Sequence, residues 1–363
     1  MDSKAQRSEN KFLNTLKGAA CLLVVCIHCR FPGAFGELVL AQARVAVPFF
    51  FVVSGIFLSA GASSPERLRA RAGRTLRRLI PQTALVWTVY TLYSFLWQAL
   101  HGRSIAQLLS EKLSSQEIKV FLLFQSGRLV WDPAYSFDHM WYLFALITVM
   151  ALVWIFAPVL RRIRVPGCIV LLAGLYFGML LQVVYPIRPF GISIRTWYVC
   201  RNWLLMGIPF VLLGHILSEM KIPDRGGKTD RIAAIAAVFG AALTTLEYVR
   251  FGIKEIYVGT LFTLIGLTVL ALRHPAWEIG PLHRIGRDDS AQIYYWHVLV
   301  LSLVDWAIAL IPGMQEFVWT SVPFAWCKPV LVMVLSLLLA VGIRAAKQRI
   351  MRRNTKNQPD RKR

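Results

Sequence analysis

Leu13-Asn-Thr-Leu-Lys17-Gly-Ala-Ala-Cys21-Leu-Leu-Val-Val-Cys26-Ile-His28-Cys29 decides the fold class, because from Gly18 to Ile27 its only polar atoms are thiols. The stretch is long enough to cross ~30 Å of hydrocarbon as a helix. Similar blocks recur along the 363 residues, separated by short charge-rich segments, and 56% of the chain is hydrophobic. A soluble helical protein would show apolar stripes backed by a polar face instead. The expected fold is an all-α polytopic membrane protein, a bundle of about ten transmembrane helices. They are placed near residues 13–29, 45–60, 79–100, 139–157, 168–184, 203–219, 232–248, 256–272, 291–311 and 325–345. Residues 1–12 read as a polar N-terminal segment without signal-peptide features. Residues 13–345 form the membrane domain, and 346–363 a basic, disordered tail.

The net charge of +22 would suggest nucleic acid in a soluble chain. Its distribution argues for topology instead. With ten crossings and the termini on one side, that side holds 29 of the 41 Lys and Arg residues and the other holds 12. Positive residues accumulate in the cytoplasm, so both termini are expected there, beside anionic lipid. No nucleic-acid partner is expected. The six cysteines are scattered through apolar blocks and read as packed thiols, not a disulfide framework. Cys26, His28 and Cys29 do not suggest a metal site, since a two-residue offset puts His28 on another helix face from Cys26.

Charged side chains within spans are costly and default to functional candidates. Lys17 and His28 are eleven residues apart, on nearly one face and ~16 Å apart along the axis. Lys17 can snorkel to the cytoplasm, and His28 falls in the outer half. After one short external loop comes Arg44, then the segment PFFFVVSGIFL (48–58). A cytoplasmic loop, 61–79, carries Arg67, Arg69, Arg71, Arg74, Arg77 and Arg78. His139-Met-Trp141-Tyr142-Leu opens the fourth span from outside, and Tyr294-Tyr295-Trp296-His297 lies in the ninth. An external amphipathic element is possible over Ile105–Leu113. Ser54 beside Gly55 reads as a close-packing pair.

In these pieces, taken in order, the chain resembles the integral membrane acyltransferase-3 family, over nearly its whole length. The resemblance rests on Lys17 with His28, the PFFFVVSGIFL segment, Arg74-Thr-Leu-Arg77 before the third span, HMWYL, and YYWH. The family's first basic residue is often arginine, and Lys17 supplies a point charge without arginine's bidentate fork. The resemblance is to the family's stand-alone form, in which no hydrolase-like domain is expected to be fused. The resemblance implies a bacterial cytoplasmic-membrane enzyme. It would move an acyl group, usually acetyl, from cytoplasmic acyl-CoA (acetyl-CoA by default) to a cell-surface glycan or lipid-linked sugar. No metal is expected.

On that reading Arg74, Arg77 and Arg78 are candidates for the donor's phosphates. His28 is the candidate base, or a transient acyl carrier, with Lys17 beside it in the catalytic motif. Carboxylates at the outer level that could orient His28 include Glu37, Asp138, Glu247 and Asp305. Asp305 could equally pair with Arg44 or Lys328. His139, Trp141 and Tyr142 are acceptor-side or supporting candidates, as are Arg44, Asp305 and Glu37. His297 reads either as a structural hydrogen bonder or as donor-channel lining. The competing function is a transporter or flippase for a glycan intermediate or small metabolite, and a sensing module without chemistry stands third.

Overall fold

The computed structural model describes residues 9–62, 64–131, 138–163, 165–183, 200–220, 222, 227–314, 316 and 321–356. Among them no strand occurs and fourteen α-helices do. They are α1 (Lys11–His28), α2 (Gly33–Ala43), α3 (Ala46–Ser59), α4 (Pro65–Leu100), α5 (Ile105–Lys112), α6 (Ser115–Phe124) and α7 (Trp141–Arg162). There follow α8 (Val165–Val183), α9 (Ile208–Glu219), α10 (Lys228–Phe251), α11 (Val258–Arg273), α12 (Gly280–Arg284), α13 (Ser290–Ala309) and α14 (Val322–Lys356). A 3-10 turn, Asp138–Met140, leads into α7, and π-helical turns at Trp203–Gly207 and Ile285–Asp289 lead into α9 and α13.

Every stretch expected to span overlaps a helix. Among the described residues, five helical stretches are both long and apolar enough to cross a membrane: Lys11–His28, Gly33–Ser59, Asp138–Leu160, Lys228–Phe251 and Val322–Arg352. Val165–Leu180, Trp203–Glu219 and Val258–Arg273 are shorter apolar helices. The amphipathic element expected at Ile105–Leu113 is α5.

Three expectations need correction. The 61–79 segment is not a loop beyond its first residues: α4 starts at Pro65 and runs unbroken through the arginines to Leu100. Ser64 caps it by accepting from the Arg67 N–H (3.3 Å), Pro65 occupies the first turn and Glu66 faces the helix dipole. The short external loop after His28 contains α2, whose Ala, Leu and Gln residues favour helix. The tail expected to be disordered from residue 346 continues α14 to Lys356, through Ala345, Ala346, Lys347 and Gln348, all good helix formers. Residues 1–8 and 357–363, the ends of the terminal segments, lie outside the described residues.

The chain divides into two units, Met1–Leu40 with His274–Arg363, and Ala41–Arg273. In the first, α1 packs on α12, the Ile285–Asp289 turn, α13 and α14. Gly18 lets the backbones touch, since a Cβ there would lie 2.1 Å from the Leu282 carbonyl oxygen. One turn on, the Cys21 thiol donates to the Ser290 carbonyl (3.4 Å). Seven residues further along both helices, His28 meets His297. The equal advance means α1 and α13 run parallel, with a heptad step between their contacts.

In the second unit α3 packs on α9, where a Cβ at Gly55 would lie 2.1 Å from the Val211 oxygen and one at Gly214 2.0 Å from the Val52 oxygen. Gly55 thus serves close helix packing, and Ser54 bonds back to the Phe50 carbonyl at 2.8 Å. The helices α10 and α11 form a pair. Glu247, considered above as a partner for His28, accepts instead from the Val258 and Gly259 N–H groups at 3.0 Å and so caps α11. The helix α4 runs antiparallel to α7: Gly73 approaches the Trp154 ring, and Tyr90 lies 5.0 Å from His139.

Candidate active site

His28 is the last residue of α1, where the Cys29 N–H closes the helix on the Val25 carbonyl (2.8 Å). Its ring is half-buried, 5.1 Å from the His297 ring and tilted 60° to it. His297 is fully buried and its Nδ1 lies 2.9 Å from the Tyr294 oxygen and 3.1 Å from the Ile293 oxygen. His297 is the eighth residue of the twenty-residue α13, so that helix continues about 18 Å beyond the pair. His28 is therefore level with the first half of α13. The two histidines are 269 positions apart, and only the packing of α1 on α13 brings them together.

At the other end of α1, Lys17 is half-buried and donates to Asn14 Oδ1 at 3.3 Å. Cys21 is within electrostatic reach of both Lys17 and Asp289. Asp289 ends the π-helical turn, is 3% exposed and pairs with Arg344 at 3.2 Å. Burial holds its carboxyl above the usual carboxylate range, against the pull of Arg344. Its neighbour Asp288 is held below that range, mainly by a hydrogen bond from Arg287.

The arginines of α4 separate into two groups. Pro158 has no N–H, so the Trp154 carbonyl four residues earlier loses its helical partner, and α7 kinks at Phe156. Arg69 Nε donates to that carbonyl at 2.9 Å. Arg71 Nη1 donates to the Ala60 (2.7 Å) and Leu58 (3.1 Å) carbonyls at the end of α3, closing that helix. Arg74, Arg77 and Arg78 are exposed and make no hydrogen bond or ion pair among the described residues. Spaced i, i+3, i+4, they share one face of α4. The Gly73–Trp154 and Tyr90–His139 contacts put them at or just beyond the start of the stretch that lies beside α7.

The residues expected on the acceptor side have other neighbours. His139 is 3% exposed and packs edge-on against Tyr90. Trp141 and Tyr142 are each 7% exposed, with Phe51 6.1 and 4.7 Å away between ring centroids. Trp141 and Tyr142 thus support the PFFFVVSG segment, while His139 packs on α4. Arg44 pairs with Glu255 at 3.0 Å, and Glu255 also binds Arg201 (2.7 Å), which reaches Asp138 at 2.6 Å. Burial opposes the Arg201 charge, but Glu255 and Asp138 outweigh it and hold the guanidinium above its ordinary range. Asp305 pairs with Lys328 at 2.5 Å, one of the two partners anticipated for it, and Glu37 is exposed on α2.

His297 as the neighbour of His28, and Arg201 with Glu255, were not identified from sequence as parts of one constellation. The equal seven-residue steps Cys21–His28 and Ser290–His297 were visible, but nothing in the chain says that the two helices touch. No curated protein and no solved structure matches the chain. A family model described as an acyltransferase domain matches residues 10–343, and the chain belongs to the integral membrane acyltransferase-3 family.

Proposed function

We propose that this chain transfers an acyl group, by default acetyl, from cytoplasmic acyl-CoA to a hydroxyl of an extracytoplasmic glycan or lipid-linked sugar. Its setting on this reading is a bacterial cytoplasmic membrane, crossed ten times, with both termini in the cytoplasm. The observation that carries the reading is His28, an imidazole set beside His297 among helices of a chain that belongs to an acyltransferase family.

The chemistry asks for three things. A base must take the acceptor proton, which is the role of His28. The donor's phosphates need cations, and Arg74, Arg77 and Arg78 have no competing carboxylate among the described residues. Positive charge at the cytoplasmic end of α1 falls to Lys17, a point charge that favours anionic groups of the donor. A transient acyl-His28 uses the same residue and remains within the proposal.

The test incubates purified protein with radiolabelled acetyl-CoA and candidate glycans. Label should reach the glycan with wild type and not with His28→Ala. Transfer that survives in His28→Ala contradicts the base assignment. If no acyl group leaves the donor while vesicles accumulate a solute, the chain is a transporter.

A further inference from the structure

We propose that Asn14 is the positioning residue for Lys17, and that Glu9 and His283 fix the Asn14 amide in the orientation that does so. The inference rests on Lys17 serving the anionic donor.

Four side chains join end to end at the start of α1. Lys17 Nζ donates to Asn14 Oδ1 at 3.3 Å, and Asn14 Nδ2 donates to Glu9 Oε1 at 2.8 Å. The same Glu9 oxygen lies 3.1 Å from His283 Nε2. Glu278 flanks the other side of that imidazole, 3.4 Å from Nδ1, and pairs in turn with Lys11 at 3.2 Å. The two neighbours of the Asn14 amide fix its polarity. An ammonium can only donate and a carboxylate can only accept, so the carbonyl faces Lys17 and the amino group faces Glu9. A reversed amide would set N–H against ammonium and oxygen against carboxylate. Asn14 is 9% exposed and His283 6%, so little water competes at either.

Asn14 and Lys17 are three residues apart and adjoin on one face of α1. Backbone packing brings His283 to them. A Cβ at Gly286 would lie 1.8 Å from the Asn14 carbonyl oxygen, so the turn after α12 rests directly on the first half of α1. Before α12, the Ile279 N–H donates to Thr15 Oγ1 (3.2 Å), and the Lys11 N–H donates to the Pro275 carbonyl (2.7 Å). A lysine gains from such a frame, because its stem is flexible and its ammonium is a point charge with rotatable donors. Committing one N–H to a fixed carbonyl narrows the positions the charge can take, which lowers the ordering cost when an anion binds.

The experiment compares wild type with Asn14→Leu, Glu9→Leu, the double variant, and Glu9→Gln, which keeps a carbonyl acceptor without the charge. One readout is acetylation of Lys17 by a limiting pulse of acetic anhydride, measured by peptide mass spectrometry, which needs no substrate. The other is acyl transfer, resolved into donor KM, acceptor KM and kcat. Lys17 should label about fivefold faster in Asn14→Leu. Glu9→Leu should give a similar rise, because an amide without its acceptor no longer keeps its carbonyl on Lys17. The double variant should add little to either single change, as expected of links in series. Glu9→Gln should recover most of the loss, which separates the hydrogen bond from the charge. Donor KM should rise about fivefold in both leucine variants, with acceptor KM and kcat within about twofold of wild type.

Wild-type labelling of Lys17 in a folded Asn14→Leu or Glu9→Leu overturns the proposal, and so do additive effects in the double variant. A loss in kcat with unchanged donor KM does the same. If Asn14→Leu does not fold, the two Glu9 variants decide, since the Glu9 side chain is 40% exposed and reaches Lys17 through Asn14. Should wild type transfer nothing while Lys17 labelling still shifts in this pattern, the linkage stands and the acyltransfer reading falls.

Discussion

Two clusters of arginine use the same side chain to opposite ends. Arg44 and Arg201 are joined to Glu255 and Asp138, two cations against two anions, with side chains no more than 18% exposed. Arg74, Arg77 and Arg78 stand exposed on one face of α4 with no anion among the described residues. The first cluster is complete and ties the start of α7 to the residues leading into α3, α9 and α11. The second is unbalanced, and an unbalanced set of guanidinium forks favours an arriving anion. Location adds to the contrast, since the three free arginines adjoin the stretch of α4 that lies beside α7. What separates architecture from a binding surface here is whether the charges are already compensated.

Substitutions can break that contrast. Arg201→Ala leaves two carboxylates with one cation in a largely buried place and should destabilise the protein by about 3 kcal/mol. Thermal unfolding in detergent would show it, and an unchanged midpoint would mean the network is idle. Arg74→Gln with Arg77→Gln should do the reverse, leaving the unfolding midpoint in place while raising the donor KM about tenfold per residue. If the double variant unfolds early with normal KM, the two clusters are of one kind. Arg69→Ala sharpens the comparison within α4 itself. It exposes the Trp154 carbonyl that Pro158 orphans, so stability should fall by about 1 kcal/mol with donor KM unaffected. The smallest effect belongs to Asp305→Asn, whose partner is Lys328 and whose side chain is half-exposed. A change below about 1 kcal/mol is expected, and a larger one would assign the pair a role beyond a surface ion pair.

Several of these distinctions were legible before any coordinates. Apolar block length placed a helix at each expected span, though not α2, α6 or α12, and the order of Lys17, His28, PFFFVVSGIFL, Arg74 and Arg77, HMWYL and YYWH was enough to suggest the family. The continuity of α4 was readable too, because Ser64-Pro65-Glu66 is a helix start, yet the density of arginines suggested a loop. Pro158 signalled an orphaned carbonyl, though not that Arg69 would fill it from another helix. Nor could the chain reveal that His28 and His297 touch. That depends on the stagger of α1 against α13, set by Gly18 meeting Leu282 and Gly286. Burial of Trp141 and Tyr142 against Phe51 was hidden for a similar reason, since interface aromatics and core aromatics look alike in a sequence.

The central claim is acyl transfer by His28 from a donor on one side of the membrane to an acceptor on the other. Proteoliposomes containing radiolabelled acetyl-CoA, with a glycan acceptor supplied only outside, test it most directly. Wild type in the orientation that puts the arginines of α4 inside should label the external glycan, and His28→Ala should leave it unlabelled. External labelling by His28→Ala at the wild-type rate, or labelling only when donor and acceptor share a compartment, would contradict the account.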